Sequence, residues 1–185
     1  MPRRAASSAS AQLRRSRNSS DRRSQARAVA GDLGFAVGPR LNAAGRLDDM
    51  ALGIECLLTD DMNTALHHAA ILDQINGERR EIESTMREQA FTYVDRMDAS
   101  NLPGCVCVYD ESWHQGVVGL VASRVKDRVH RPVVAFAPEQ PGSSLLKGSA
   151  RSIGGLHIRD ALARVDSLQP GLMQAFGGHA MAAGL

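Results

Sequence analysis

The sequence predicts an α/β protein in which a long connector helix leads into a small mixed-sheet α/β lobe. Three observations carry this. Apolar residues recur at helical spacing for about 35 residues after Asp61, far beyond the usual 10–14 of a globular helix. After Asn101-Leu102-Pro103-Gly104 the pattern changes to short strands alternating with helices. Gly-rich turns carrying arginine, serine or histidine flank these elements. At 185 residues and 43% apolar content the chain can bury a real core. The fold reads as incomplete at both ends: it turns domain-like abruptly near Gly31, and Leu185 falls inside structure that should continue.

Residues 1–30 hold eight arginines (Arg3, Arg4, Arg14, Arg15, Arg17, Arg22, Arg23, Arg27) against the single acid Asp21. Such an Arg/Ser/Ala-rich stretch lacks apolar periodicity and is expected to be disordered. It reads as a nucleic-acid arm, a transit peptide or a wrong start upstream of the fold, the last being preferred. Its charge hides that of the rest: the formal +2 of the chain becomes about −5 over 31–185, where 14 Lys+Arg face 19 Asp+Glu. Contacts to nucleic acid must therefore come from local basic clusters.

Residues 31–58 should close a preceding lobe. Glycines and Pro39 in GFAVGPRLNAAGRLDDM predict a shaped loop with short helical pieces, then a short helix over Ala51–Leu58. Residues 59–100 are the connector. Asp60 and Asp61 supply an N-cap, and Ala65, Ala69, Leu72, Ile75, Ile82, Met86, Ala90, Val94 and Met97 mark one helical face. The opposite face carries Glu78, Arg79, Arg80, Glu81, Glu83, Arg87 and Glu88. Residues 101–185 form the α/β lobe: strand Cys105–Tyr109, helix Val117–Arg128 and strand Pro132–Ala137 make a βαβ-like unit. A strand around Leu145–Ser149, helix Ile158–Val165 and the Gly-rich FGGHAMAAGL follow.

Three cysteines without a secretory signal argue for reduced thiols in a cytoplasmic protein. Cys105 and Cys107, at i and i+2 of a strand, share one face and are expected in the core. No apolar run approaches 18 residues, so no membrane span is expected. His67-His68 lacks an acid partner at ligand spacing and is expected at the surface or an interface, and His130 and His157 are likewise unremarkable. Asp48-Asp49 and Asp60-Asp61 fit turns and caps better than a metal centre, so no metal site is expected here.

Candidate chemistry lies in three small-residue segments: Pro39–Arg46, Gly148–Ser152 and Gly177–Gly184. Glycine lets backbone amides approach an anion closely, and arginine offers forked donors to phosphate oxygens. Each segment alone more often makes an ordinary turn. Trp113-His114-Gln115-Gly116 precedes a helix whose N-terminal amides favour an anion, although capping by Gln115 and packing by Trp113 explain it as well.

Together, GPRLNAAGRLDDM, LDQINGERREIE, WHQGVVGLVASRVKDRVHRPVVAFAP, LKGSARSIGGLHIRDAL and FGGHAMAAGL closely resemble, in this order, a family of single-stranded-DNA-specific exonucleases. These belong to the phosphoesterase superfamily named for its Asp-His-His (DHH) motif. The resemblance covers roughly Arg27–Leu185 and identifies 101–185 with the DHH-associated lobe. It implies a two-lobed nuclease using Mn²⁺ or Mg²⁺ to hydrolyse phosphodiesters 5′→3′ in DNA recombination and repair, with single-stranded DNA as partner and no membrane. The aspartate-rich and Asp-His-His motifs are absent here. The resemblance therefore leaves this fragment with no catalytic residue, no bound metal and no activity of its own. It carries over Arg40, Asn42 and Arg46, then Ser149 and Arg151, then Gly177, Gly178 and His179 as phosphate or DNA contacts converging in one pocket, with His114 as a neighbour. An oligoribonuclease or nucleotide-phosphatase branch and a non-catalytic nucleic-acid-binding module are the alternatives.

Overall fold

A computed structural model describes Val29–Leu185. Expectations for the Arg/Ser-rich stretch up to residue 28 lie outside the described residues. The chain divides into two compact units, one running through Glu81 and the other spanning Ile82–Leu185.

The first unit is helical: α1 (Ala30–Asp32), a π-helical turn (Leu33–Val37), α2 (Gly38–Leu47), α3 (Ala51–Leu58) and the first part of α4 (Met62–Asp95). The shaped loop expected over 34–50 is thus corrected to helix as far as Leu47. Pro39 stands in the first turn of α2, where a missing N–H breaks no intrahelical bond. The wide turn before it lets the Gly38 amide donate to Leu33 O, five residues back, instead of demanding the ordinary four-residue step. Asp49 Oδ1 then accepts from the Ala51 amide at 2.8 Å and starts α3, which spans the expected residues. Asp61 caps α4 through one carboxylate oxygen, which accepts from the Thr64 amide (2.8 Å) and hydroxyl (2.6 Å). Asp60 makes no comparable contact among the described residues. Val37, Ala44, Cys56, Ala65, Ala69 and Leu72 form the core of this unit.

In the second unit the remaining turns of α4 bury Met86, Ala90 and Val94 at the expected period. Glu83 is a correction: instead of lying on the solvent face it is buried, and accepts from Arg124 Nε at 3.4 Å. The helix ends at Asp95, two residues before Met97, where Arg128 clasps both carboxylate oxygens (2.8 and 2.9 Å) and lies over the Phe91 ring at 4.7 Å.

A five-stranded sheet follows in the order β1-β2-β3-β5-β4: Val106–Tyr109, Val133–Pro138, Leu146–Arg151, Ala182–Gly184 and Gly177–Gly178. Only the β1–β2 pair is parallel, joined through helix α5 (Val118–Val129), so the sheet is mixed as expected. Val117, Val121 and Val125 are fully buried on the face where α5 meets β2 and β3. His130 adopts the left-handed conformation (φ 51°) that ends α5. On the opposite face Ile158 and Leu162 of α6 (Ile158–Leu168) pack with Val134, Ala150 and Ala183. His157, which looks idle in the sequence, caps α6 by accepting from the Asp160 amide at Nδ1 (3.3 Å).

Cys105 and Cys107 are also corrected: both are exposed, while Val106 and Val108 take the buried side of β1. Cys107 pairs with Val134, so the thiols share the sheet face that α6 covers near β4 and β5. At β1, the opposite edge, that cover has ended.

Candidate phosphate-binding site

The expected turn Gly148–Ser152 is the end of β3 rather than a loop. Ser149 and Arg151, two residues apart on the strand, face the same side of the sheet. Arg151 Nη1 donates to Ser149 Oγ (2.8 Å) and to Ala150 O (2.8 Å), which fixes the guanidinium plane against the strand. Both side chains press against the first turn of α5. A Cβ on Gly119 would stand 2.6 Å from Arg151 Nη2 and 2.9 Å from Ser149 Oγ. A larger residue at 119 would force the Arg151 guanidinium and the Ser149 hydroxyl to shift. The N-cap residue Val117 makes no side-chain cap, and Arg151 and Ser149 lie beside the first turn of this 12-residue helix, near its positive end.

The Gly-rich end supplies the third wall. It folds into a hairpin in which Gly177 pairs with Gly184 and Gly178 with Ala183. The His179 amide donates to Ala182 O at 2.8 Å, and β5 in turn pairs Ala182 with Arg151 and Gly184 with Ser149. Gly178 has φ +153°, and a Cβ there would strike the backbone of Ala182 and Ala183. The hairpin therefore requires glycine at this position. Gly177, Gly178 and His179 are all exposed. Two segments about 30 residues apart in sequence thus lie side by side in the sheet.

The loop leading into α5 is held from below. Asp110 accepts from the Ser112 hydroxyl (2.6 Å) and amide (2.9 Å), contacts that lower its carboxyl below the ordinary range. Trp113 is buried and donates from Nε1 to Gln89 Oε1 at 2.8 Å. His114 is half-buried, and its Nδ1 accepts from the Gly116 amide at 3.1 Å, so it faces a ligand only through its other edge. Gln115 is exposed and makes no cap to α5.

The first-unit candidates separate by burial. Arg40 is 1% exposed; its Nε and Nη2 reach Asp73 Oδ1 at 2.8 and 2.7 Å, and Nη1 donates to Ala36 O at 2.7 Å. This is a correction to its expected place on phosphate, because the guanidinium is engaged in holding α2 against α4. Asn42 is exposed and Arg46 half-buried; at i and i+4 they share a face of α2.

Sequence reasoning missed three participants. Gly119 carries a faint signal, a glycine in a helical first turn where alanine would be ordinary. Asp73 resembles any other helix carboxylate. Ser152, fully buried, donates its hydroxyl to Leu156 O at 2.7 Å and its amide to Met181 O at 2.9 Å, binding the end of β3 to the hairpin. Among the described residues no group of three or more His, Cys, Asp or Glu side chains is gathered to hold a metal ion. No described helix is long and apolar enough to cross a membrane.

The second unit combines a mixed sheet, the first turn of α5, an arginine and a Gly-Gly-His hairpin, and residues 101–185 match the DHHA1 domain family. Over most of its length the chain is similar to RecJ proteins. It is 57% identical over 165 residues to the single-stranded-DNA-specific exonuclease RecJ of Dickeya dadantii, covering 88% of this chain and 28% of that protein. Solved structures of RecJ from Thermus thermophilus, in complex with Mg²⁺ and with Mn²⁺, share its fold with TM-scores of 0.69 and 0.70. Both are 30% identical to it, over 83% of this chain and 22% and 21% of theirs. The chain thus spans 28% of the Dickeya protein and 22% and 21% of the two solved Thermus chains.

Proposed function

We propose that this chain is the terminal-phosphate and DNA-holding part of a RecJ-type exonuclease acting 5′→3′ on single-stranded DNA in recombination and repair, in the cytoplasm. The observation that carries the proposal is the contact of Arg151 and Ser149 with the uncapped first turn of α5 across Gly119. A guanidinium, a hydroxyl and helix-end amides at one place are the donor set a phosphate monoester takes. His179 on the adjacent hairpin supplies a further donor; Gly177, with open space where a Cβ would stand, admits a strand backbone close to its own, and Gly178 holds the hairpin closed behind it. Asn42 and Arg46, on their shared face of α2, contact the DNA backbone.

The described residues do not fit a two-metal centre, since two ions in phosphoryl chemistry need clustered carboxylates and histidines. The Mn²⁺ or Mg²⁺ implied by the relatives therefore belongs to parts of the enzyme beyond these residues, and the 185-residue chain is expected to be inactive alone. What these residues do is fix the end of the substrate, so that its motional freedom is given up on binding rather than in the reaction itself.

Binding of a single-stranded oligonucleotide with a 5′-phosphate, compared with its 5′-hydroxyl twin, tests the site. Arg151→Ala should remove about 1.5–3 kcal/mol of the preference, roughly a 10- to 150-fold loss, and leave the 5′-hydroxyl affinity nearly unchanged. An undiminished preference in Arg151→Ala removes this residue from end recognition.

A further inference from the structure

Cys105 and Cys107 are two thiols that the proposed function does not use. Strand alternation turns both to one face of β1, and both are exposed, while Val106 and Val108 anchor the strand from its other side. β1 is an edge strand bonded to β2 alone. Cys105 lies in a bend just before the first ladder pair, Val106 with Val133, and so is outside the ladder. Same-face neighbours in extended backbone stand about 6.4–6.8 Å apart at Cα. A disulfide spans about 4.4–6.8 Å, so the bend at Cys105 has only a small gap to close.

We propose that Cys105 and Cys107 are a redox-active dithiol that a low-molecular-weight disulfide converts to an intramolecular Cys105–Cys107 bond. The Cys107 thiolate attacks one sulfur of the oxidant; the oxidant's S–S bond breaks, and one thiolate leaves and takes up a proton. Cys107 then carries a mixed disulfide. Cys105 gives up its proton, its sulfur attacks the Cys107 sulfur, and the second small thiolate is expelled and protonated. The protein loses two electrons and two protons, and the oxidant becomes two thiols.

The thiols divide these roles unequally. The hydrogen bond from Cys105 lowers Cys107 to about 7, whereas the same bond raises Cys105 well above the ordinary thiol range. Cys107 is therefore the attacking sulfur and Cys105 the resolving one. Closure near the upper limit of span strains the bond and keeps it easily reduced, as a reversible modification requires. Cys56, buried and pushed up by desolvation, serves as an internal control.

The test treats the folded 185-residue chain with oxidised glutathione, alkylates what remains and weighs the peptides. In the wild-type chain the peptide holding both cysteines should lose two hydrogens and resist alkylation until a reductant is added, with Cys56 still a free thiol. Cys105→Ser should stop at a glutathione adduct on Cys107, and Cys107→Ser should react at least roughly tenfold more slowly than wild type. Accumulation of the wild-type adduct without closure overturns the proposal, as do equal rates for the two variants or an unreactive pair.

Discussion

Arg40 and Arg151 sit in similar small-residue contexts, GPRLN and SARS, yet their surroundings differ in kind. Arg40 has its guanidinium enclosed and shared between Asp73 and Ala36 O; Arg151 lies half-buried against a helix end. Removing a buried partner leaves the opposite charge uncompensated, at a cost of about 3–5 kcal/mol. Asp73 keeps 35% of its side chain in solvent, so the lower end, about 3 kcal/mol, applies to Arg40→Ala. Urea unfolding should show this loss for Arg40→Ala and well under half of it for Arg151→Ala. Equal losses would mean that burial does not separate the two arginines. The sequence does show that both sit where a backbone can approach an anion. It does not show Asp73, 33 residues away, because nothing in local spacing marks which helix carboxylate will face which arginine.

At the scale of elements, periodicity proved the dependable signal and punctuation the fallible one. Helix α4 is legible from Ala65 to Val94 because apolar residues recur at helical spacing toward both its ends, although buried Asn76 and Glu83 interrupt the stripe between them, and Asp61 begins it for a reason visible in Thr64. Gly34, Gly38 and Pro39 suggest a break, but a π-helical turn absorbs the missing amide, and tertiary packing of Val37 and Ala44 keeps the helix. The strand reading of Cys105–Tyr109 fixes which residues share a face. It cannot fix which face is covered, since that depends on where α6 ends over the sheet. Gly77 offers a test confined to one element. It lies inside α4 with no atom within 4 Å of the position a Cβ would take. Gly77→Ala should therefore stabilise the helix by about 1 kcal/mol, raising Tm by roughly 2–4 °C for a chain of this size. A lower Tm would show that the position needs glycine for something the helix itself does not display.

For the whole molecule, charge and contact geometry make separable demands on DNA binding. Residues 29–185 carry 14 Lys+Arg against 19 Asp+Glu, and the eight arginines and one aspartate of residues 1–28 turn that deficit into a small excess. Under the proposed function, a net negative body repels a polyanion at long range, so affinity would come from a few local contacts such as Arg151, the α5 amides, the Gly-Gly-His hairpin and Arg46. Binding then releases few counterions. For single strands log K falls with log salt by about 0.7 per phosphate neutralised, so two phosphates give a slope near about −1.4. A variant lacking residues 1–28 should show that shallow slope and keep the full preference for a 5′-phosphate. The 185-residue chain should bind more tightly at low salt, with a steeper slope and the same end preference, because extra arginines add attraction without recognising an end. Fluorescence anisotropy between about 50 and 200 mM salt, the range over which such effects show, measures both. If the 5′-phosphate preference vanished with residues 1–28, recognition of the end would lie in the arginine-rich segment and not in the cradle beside Gly119.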